Sequence, residues 1–321
     1  MPLDDDLAAF LELVKKSILC GERTAMHLLT PEKARIEYDI STQILDESGP
    51  PVANVTDIAI LCRDGNSINA RLYQPTEFAQ VTQPQPVLLY FHGGGYCIGG
   101  LESHDSLCRS LAALTPCYVL SIAYRLAPEY RFPTAVYDAQ DAYQWVISNG
   151  HEHSLDTNRL AVGGDSVGGT LATGLTIAAR EEKWQQPACQ ILLYPCTGAW
   201  QKTGSHRRFS QGYLLEEKTL QWMFTNYLRD ETDRADWRFA PLQAKNLCSL
   251  APAIVILPEF DPLLDEGIAY ADKLKAAGVA TCVKIYSGMI HDFARLGNIV
   301  NDAYQVRKDI ADTLAATFYL N

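Results

Sequence analysis

Gly164-Asp165-Ser166-Val167-Gly168 is the stretch on which the reading of this chain turns. It fits G-x-S-x-G, the spacing that forces a serine onto a sharp turn between a strand and a helix. Such a turn lifts the hydroxyl away from the backbone and points it at whatever lies above. The flanking sequence meets the context requirement. Arg159 to Val162 reads as the end of a short apolar strand, and Thr170 to Arg180 as a helix whose start is rich in small residues. Small residues let that helix pack tightly beneath the turn. Ser166 is therefore the candidate nucleophile.

A second signal lies upstream. Pro86 to Phe91 is an apolar run of strand length, and it feeds His92-Gly93-Gly94-Gly95. Acyl transfer builds an oxyanion that needs backbone N–H donors already aimed at it. Glycines let the chain approach a carbonyl closely, with no Cβ in the way. A plain flexible loop would not explain why this run follows a strand and precedes a G-x-S-x-G.

A serine nucleophile needs a base, and the base an orienting carboxylate. With G-x-S-x-G the expected chain order is Ser, then Asp or Glu, then His. Of the histidines after Ser166, His206 and His291, only His291 lies far downstream, on a loop after the apolar run Thr281 to Ile285. The carboxylate is assigned to Asp261, which follows the apolar run Ala253 to Leu257. Its neighbour Asp265 is the rival; with Glu266 and Gly267 it suits the opening of the next helix, and helix capping is its expected role.

With these residues in place, the chain resembles the hormone-sensitive-lipase family of α/β-hydrolase esterases, and the bacterial acetyl-esterase branch in particular. The resemblance is carried by His92-Gly-Gly-Gly95, Tyr124-Arg-Leu-Ala-Pro-Glu129, Gly164-Asp-Ser-Val-Gly-Gly169, Asp261-Pro-Leu-Leu-Asp-Glu266 and the His291 loop, from about residue 85 onward. It implies Ser166 as nucleophile, His291 as base and Asp261 as orienter. It also implies an oxyanion hole built from Gly93, Gly94, Gly95 and Val167; which loop glycines donate stays open, with Gly94 and a neighbour favoured. Three positions depart from the family pattern. Val167 stands where alanine is usual, so its bulk is expected to narrow the acyl site. Leu264 stands where arginine is common, which reads as a missing surface charge. Asp292 follows the histidine where glycine is common, and its charge is expected to raise the imidazole pKa.

The rest of the chain supports an enzyme of this kind. Its 321 residues are 47% hydrophobic and 20% charged, enough for a sizeable core. Twenty-seven basic against 38 acidic residues leave a net charge of −11. That excludes nucleic acid and anionic membrane surfaces as natural partners. No apolar run reaches membrane-span length, and the acidic Met-Pro-Leu-Asp-Asp-Asp start is unlike a secretory leader. Nine cysteines without a C-x-x-C pair fit reduced thiols and a cytoplasmic location. Cys97, beside the glycine loop, is expected to be a small buried apolar residue.

Leu7, Phe10, Leu11, Val14 and Ile18 share one helical face, and a second helix begins at Pro31. Asp64-Gly65 turns one alternating run (58–62) into another (68–72). From Pro86, strands alternate with helices, the pattern of a mainly parallel central sheet with helices on both faces. The alternation lapses between Thr197 and Leu250, a polar and aromatic stretch. The expected division is N-terminal cap helices (1–50), an α/β-hydrolase core (51–198 and 251–321) and a cap insertion (199–250). His151-Glu152-His153 reads as a solvated turn, His104-Asp105 as a helix start with His104 capping, and Tyr124, Arg125 and Glu129 as one structural network. No cofactor or metal motif is present. The expected function is hydrolysis of short-chain carboxylic esters by an acyl-enzyme mechanism. Its rivals are an amidase with the same triad and a binding protein on this fold; gibberellin receptors resemble the family but have lost the histidine kept here. A homodimer by edge-strand pairing is compatible with such a sheet.

Overall fold

The computed structural model describes residues 2–319. Two helices open the chain, α1 (Asp5–Leu19) and α2 (Pro31–Leu45). The first is capped by Asp4, whose carboxylate accepts from the amides of Asp6 and Leu7. The second is capped by Thr30 and has proline at its first position, where no N–H is needed. It runs well past the expected start around Pro31–Tyr38. Ile36, Ile40 and Ile44 lie on its outer side, so its apolar residues are spread around the helix and blur the one-faced signal.

A hairpin follows, β1 (Asn54–Leu61) and β2 (Ser67–Gln74). Then come β3 (Gln85–Phe91), α3 (Asp105–Leu114), β4 (Tyr118–Ala123), α4 (Thr134–Asn149), β5 (Leu155–Asp165), α5 (Val167–Glu181) and β6 (Gln190–Leu193). Short helices α6 (Gly204–Arg208) and α7 (Glu217–Tyr227) occupy the stretch where alternation lapses. The chain ends with β7 (Ala253–Phe260), α8 (Leu264–Ala276), β8 (Thr281–Ile290) and α9 (Asp302–Tyr319).

The eight strands form one sheet in the order β1-β2-β4-β3-β5-β6-β7-β8. The β1–β2 and β2–β4 pairs are antiparallel and the others parallel. Period-two alternation divides the core. Val87, Leu89, Phe91, Val162, Val255 and Leu257 face a layer that includes α4, α5 and α8. Leu88, Tyr90, Ala161, Ile254 and Ile256 face α3 and α9. Each such side chain contributes roughly 1.5–3 kcal/mol through burial. Covered on both sides, the inner parallel strands β3 and β7 and the second half of β5 are almost wholly buried.

Register sets the site. Phe91 lies opposite Gly164, Asp165 opposite Leu193, and Phe260 opposite Ile290. The glycine loop, the serine turn, Asp261 and His291 therefore all emerge at the carboxyl edge of one sheet, where open α/β folds bind ligands.

Candidate active site

The serine turn is strained and tightly packed. Ser166 has φ +53° and ψ −122°, a region that residues with a Cβ avoid. Its amide donates to Leu193 O at 2.9 Å, which ties the turn to β6. Glycine is required beside it because a Cβ on Gly168 would collide with Phe91 O, the last carbonyl of β3.

From that turn the side chains form one line. Ser166 Oγ lies 3.1 Å from His291 Nε2, and His291 Nδ1 lies 2.7 Å from Asp261 Oδ2. With Nδ1–H donated to the carboxylate, Nε2 is left to accept the serine proton. Asp261 is fully buried, and its other oxygen accepts from the amide of Leu263 at 2.7 Å. The backbone thus orients the carboxylate that orients the imidazole. Burial, the largest influence on His291, disfavours its charged form. The charge and hydrogen bond of Asp261, then the charges of Asp292 and Asp165, outweigh it and leave the pKa above its ordinary value. The expected contribution of Asp292 is present, but second to that of Asp261. The ring of Tyr194 packs 4.8 Å from the imidazole.

The glycine loop is braced from below. Tyr124 stacks on His92 at 4.2 Å between ring centroids and donates to His92 O at 2.8 Å. Burial pushes the His92 imidazole down to about 3, so it is neutral. Gly94 has φ +105°, open to glycine, and a Cβ there would meet Ile98 O. The amides of Gly94 and Gly95 have no partner among the described residues, and Val167 supplies the first, unpaired amide of α5. Gly94, Gly95, Val167 and Ser166 line one cavity. Gly93 does not; it turns toward Asp165, and its carbonyl accepts from the His92 ring.

That cavity has a volume of about 900 Å³ and is bordered also by Asp292, Leu220 and Met223. Phe10, Leu11, Val14 and Ile18 line it too, so the apolar face of α1, whose Leu7 is buried in the core, also borders the cavity.

Several expectations need correction. Leu264 carries no charge, as expected, but it is buried, so the position is not a surface one. Asp265 lies in the first turn of α8 but its side chain does not cap that helix; its carboxylate accepts from the Ser205 amide at 2.7 Å and so braces the start of α6, whose cap is Thr203. The His104 side chain caps nothing, since the ring is turned inward toward Ser103 and Asp165. Tyr124, Arg125 and Glu129 do not share a network. Tyr124 braces the loop, Arg125 pairs with Asp138 and Asp64, and Glu129 pairs with Arg35 of α2. His151 and His153 sit on a short 3-10 turn, and no group of three or more metal-ligating side chains exists among the described residues. Cys97 is buried as expected, which pushes its thiol up to about 12.

Sequence reasoning missed Arg295, Tyr38, Thr42 and the inward role of His104. Arg295 and Tyr38 belong to no motif. His104 alone left a trace, as a histidine beside a helix start.

A family model described as alpha/beta hydrolase fold matches residues 88–295. An ethyl acetate hydrolase of Pseudomonas putida is 41% identical over 94% of this chain and 95% of its own length. The carboxylic ester hydrolase LipN of Mycobacterium tuberculosis is 41% identical over 77% of this chain and 66% of its own. Among solved structures, an ester hydrolase from the Lake Arreo metagenome superposes with a TM-score of 0.94 at 35% identity, covering 98% of this chain and 99% of that one. A thermostable esterase from Pseudomonas putida superposes with a TM-score of 0.93 at 32% identity, covering 100% of this chain and 99% of that one. By fold, by sequence and by the arrangement at the sheet edge, this chain belongs to the alpha/beta hydrolase fold family, alongside ester hydrolases.

Proposed function

We propose that the chain is a serine carboxylesterase in which Ser166 is the nucleophile, His291 the general base and Asp261 its orienter. The observation that carries the reading is the unbroken line Asp261–His291–Ser166, with contacts of 2.7 and 3.1 Å. His291 Nε2 takes the serine proton as Oγ bonds to the ester carbonyl carbon. The carbonyl electron pair moves to oxygen, where the amides of Gly94, Gly95 and Val167 stabilise it. The pair returns as the C–O bond to the alcohol breaks, and His291 gives the alcohol its proton. Water then attacks the acyl-serine by the same route, releasing the acid and restoring the hydroxyl.

The preferred acyl groups are short, from acetyl to about hexanoyl. Support comes from the bulk of Val167 and Met223 beside the glycine loop and from the ethyl acetate hydrolase among the relatives. Helices α1 and α2 and the 199–250 insertion together act as a cap over the 51–198 and 251–321 core. The cavity extends beyond an acetyl group and accommodates the alcohol side of the ester. The protein is cytoplasmic in this reading: its cysteines are free, and among the described residues no helix is long and apolar enough to cross a membrane. A homodimer through the open edge of β8, where Ile285 is exposed, is part of the same proposal. Sedimentation checks it, and a monomer at micromolar concentration removes it.

The test is a series of p-nitrophenyl esters of increasing acyl length with a matched anilide, combined with fluorophosphonate labelling. Ser166 alone should be labelled. Labelling elsewhere, or an anilide turned over as fast as the ester, would overturn the reading.

A further inference from the structure

A second polar cluster lies in the wall of the same cavity, beside the triad, and takes no part in the steps above. Its centre is Arg295, 4% exposed, on the short 3-10 turn Phe293–Arg295 that continues the His291 loop. One nitrogen, Nη2, donates to Thr42 Oγ1 at 2.7 Å. The other, Nη1, donates to the Tyr38 hydroxyl and lies 3.2 Å from His104 Nε2 and 3.7 Å from Asp292 Oδ2. His104 Nε2 is in turn 3.3 Å from Asp165 Oδ2, on the residue just before the nucleophile. The guanidinium therefore sits between two carboxylates, one beside Ser166 and one beside His291.

Two features of this cluster go beyond packing. Asp292 has φ +70°, where glycine is the least strained choice. The carboxylate kept there faces Arg295 and lies 3.5 Å from the Tyr38 hydroxyl. Helix α2 also reaches both loops of the site. Tyr38 and Thr42, one turn apart, hold Arg295. One turn earlier, Arg35 donates to Cys97 O at 2.8 Å, at the end of the glycine loop, and pairs with Glu129. A planar fork of five donors can hold such a set together where a lysine could not.

We propose that Arg295 is a positioning residue for the base: it docks the His291 loop onto helix α2 and, by the attraction of its charge for the Asp165 carboxylate, toward the serine turn, so that seating α2 and aligning His291 on Ser166 are one event. The proposal rests on Ser166 and His291 being nucleophile and base. A buried carboxylate that loses its cation must take up a proton or water, and the loop would shift with it. A displacement near 1 Å in a reacting group costs on the order of 100-fold in rate.

The experiment uses the full chain with Arg295→Met, Arg295→Lys, Tyr38→Phe and Asp292→Gly. The readouts are kcat and KM on p-nitrophenyl acetate, the rate at which a small fluorophosphonate labels Ser166, and Tm. Phosphonylation needs the base but little of the substrate cavity. Arg295→Met is expected to lower kcat and the labelling rate together, by about 100-fold, with KM nearly unchanged. Arg295→Lys should restore part of both. The Arg295→Met/Tyr38→Phe double variant should be no slower than Arg295→Met alone, because the two act through one contact. Wild-type kcat and labelling, with only a lower Tm or a raised KM, would overturn the proposal. If Arg295→Met does not fold, Tyr38→Phe and Asp292→Gly decide, since both keep the arginine and glycine suits the backbone at 292. Unchanged kcat in both would overturn it equally. Failure of the wild-type protein to label at Ser166 would instead count against the triad.

Discussion

The carboxyl edge of the sheet and the helices above it hold the site by different means. At the edge, three of the groups are placed by nearby backbone: Ser166 by a strained turn, Asp261 by the Leu263 amide, Gly94 by a positive φ. Above it, placement depends on contacts far apart in the chain. Tyr38 meets Arg295 across 257 residues, and Arg35 meets Cys97 across 62. The two N-terminal helices also differ from each other. α1 presents Phe10, Leu11 and Val14 to the cavity, whereas α2 presents hydrogen-bonding groups to the loops. In the proposed reading the edge supplies the chemistry, α1 shapes what enters, and α2 sets how well the parts align.

The strongest way to break this division is at the edge. Ser166→Ala and His291→Ala should each lower kcat by about 10⁶-fold, because a triad acts as a unit. Asp261→Asn should cost about 10⁴-fold. Asp265→Asn should leave kcat near wild type and lower Tm, since Asp265 holds α6. Steady-state kinetics and thermal melts on the four variants check this, and a dead Asp265→Asn beside an active Asp261→Asn would reverse the assignment.

Removing residues 1–45 tests the upper half. It takes away the apolar face of α1 and the polar face of α2 together. The expected result is a large fall in kcat together with a broadened acyl-length profile. A truncation confined to α1, residues 1–20, should broaden the profile while leaving kcat on p-nitrophenyl acetate within about tenfold, since the contacts that position reacting groups remain. A loss of kcat as large as that of the longer truncation would erase the distinction between the helices.

A smaller effect concerns pH. The proposed base must be a neutral imidazole to act, so kcat/KM should fall as pH drops through the His291 pKa. Burial opposes the charge, but Asp261, Asp292 and Asp165 raise that pKa above 6.5. The acid limb should therefore lie above 6.5, and Asp292→Asn should move it downward. The stability linkage has the opposite sense. A raised native pKa adds stability that is complete below the unfolded pKa and lost as pH rises through the native one. A pH–rate profile and melts from pH 5 to 9 check both.

The smallest expected change is at Val167. Val167→Ala opens space beside the nucleophile and should favour acyl chains longer by one or two carbons. Each added buried methylene is worth about 0.8 kcal/mol, or roughly fourfold in kcat/KM. An unchanged chain-length profile would place the end of the acyl pocket elsewhere.

Much of the edge was legible in the sequence. Strand–turn–helix patterning around Ser166, a glycine run after a strand and a histidine late in the chain are local features, and local backbone requirements restrict the residues that satisfy them. Asp261 was legible for the same reason, as the residue directly after a strand. Asp265 was read as a cap of its own helix because first-turn acids often interact there; its true partner, Ser205, lies 60 residues away. The burial of Leu264 leaves no such trace, because it depends on which way α8 lies against the sheet.

Short-range constraints, periodicity and the backbone needs of tight turns, are enough to read off the α/β alternation, the strand–turn–helix around Ser166 and the chain order Ser166, Asp261, His291. Only the tertiary structure decided that the antiparallel β2 sits beside β4, that α1 lines a cavity, and that Arg295 is buried between Asp165, Asp292 and Tyr38. The physical reason lies in the desolvated charge. An arginine is ordinarily solvated, and no local pattern marks one that is buried. Its burial is stable only once helices and loops from four parts of the chain have brought their acceptors to it.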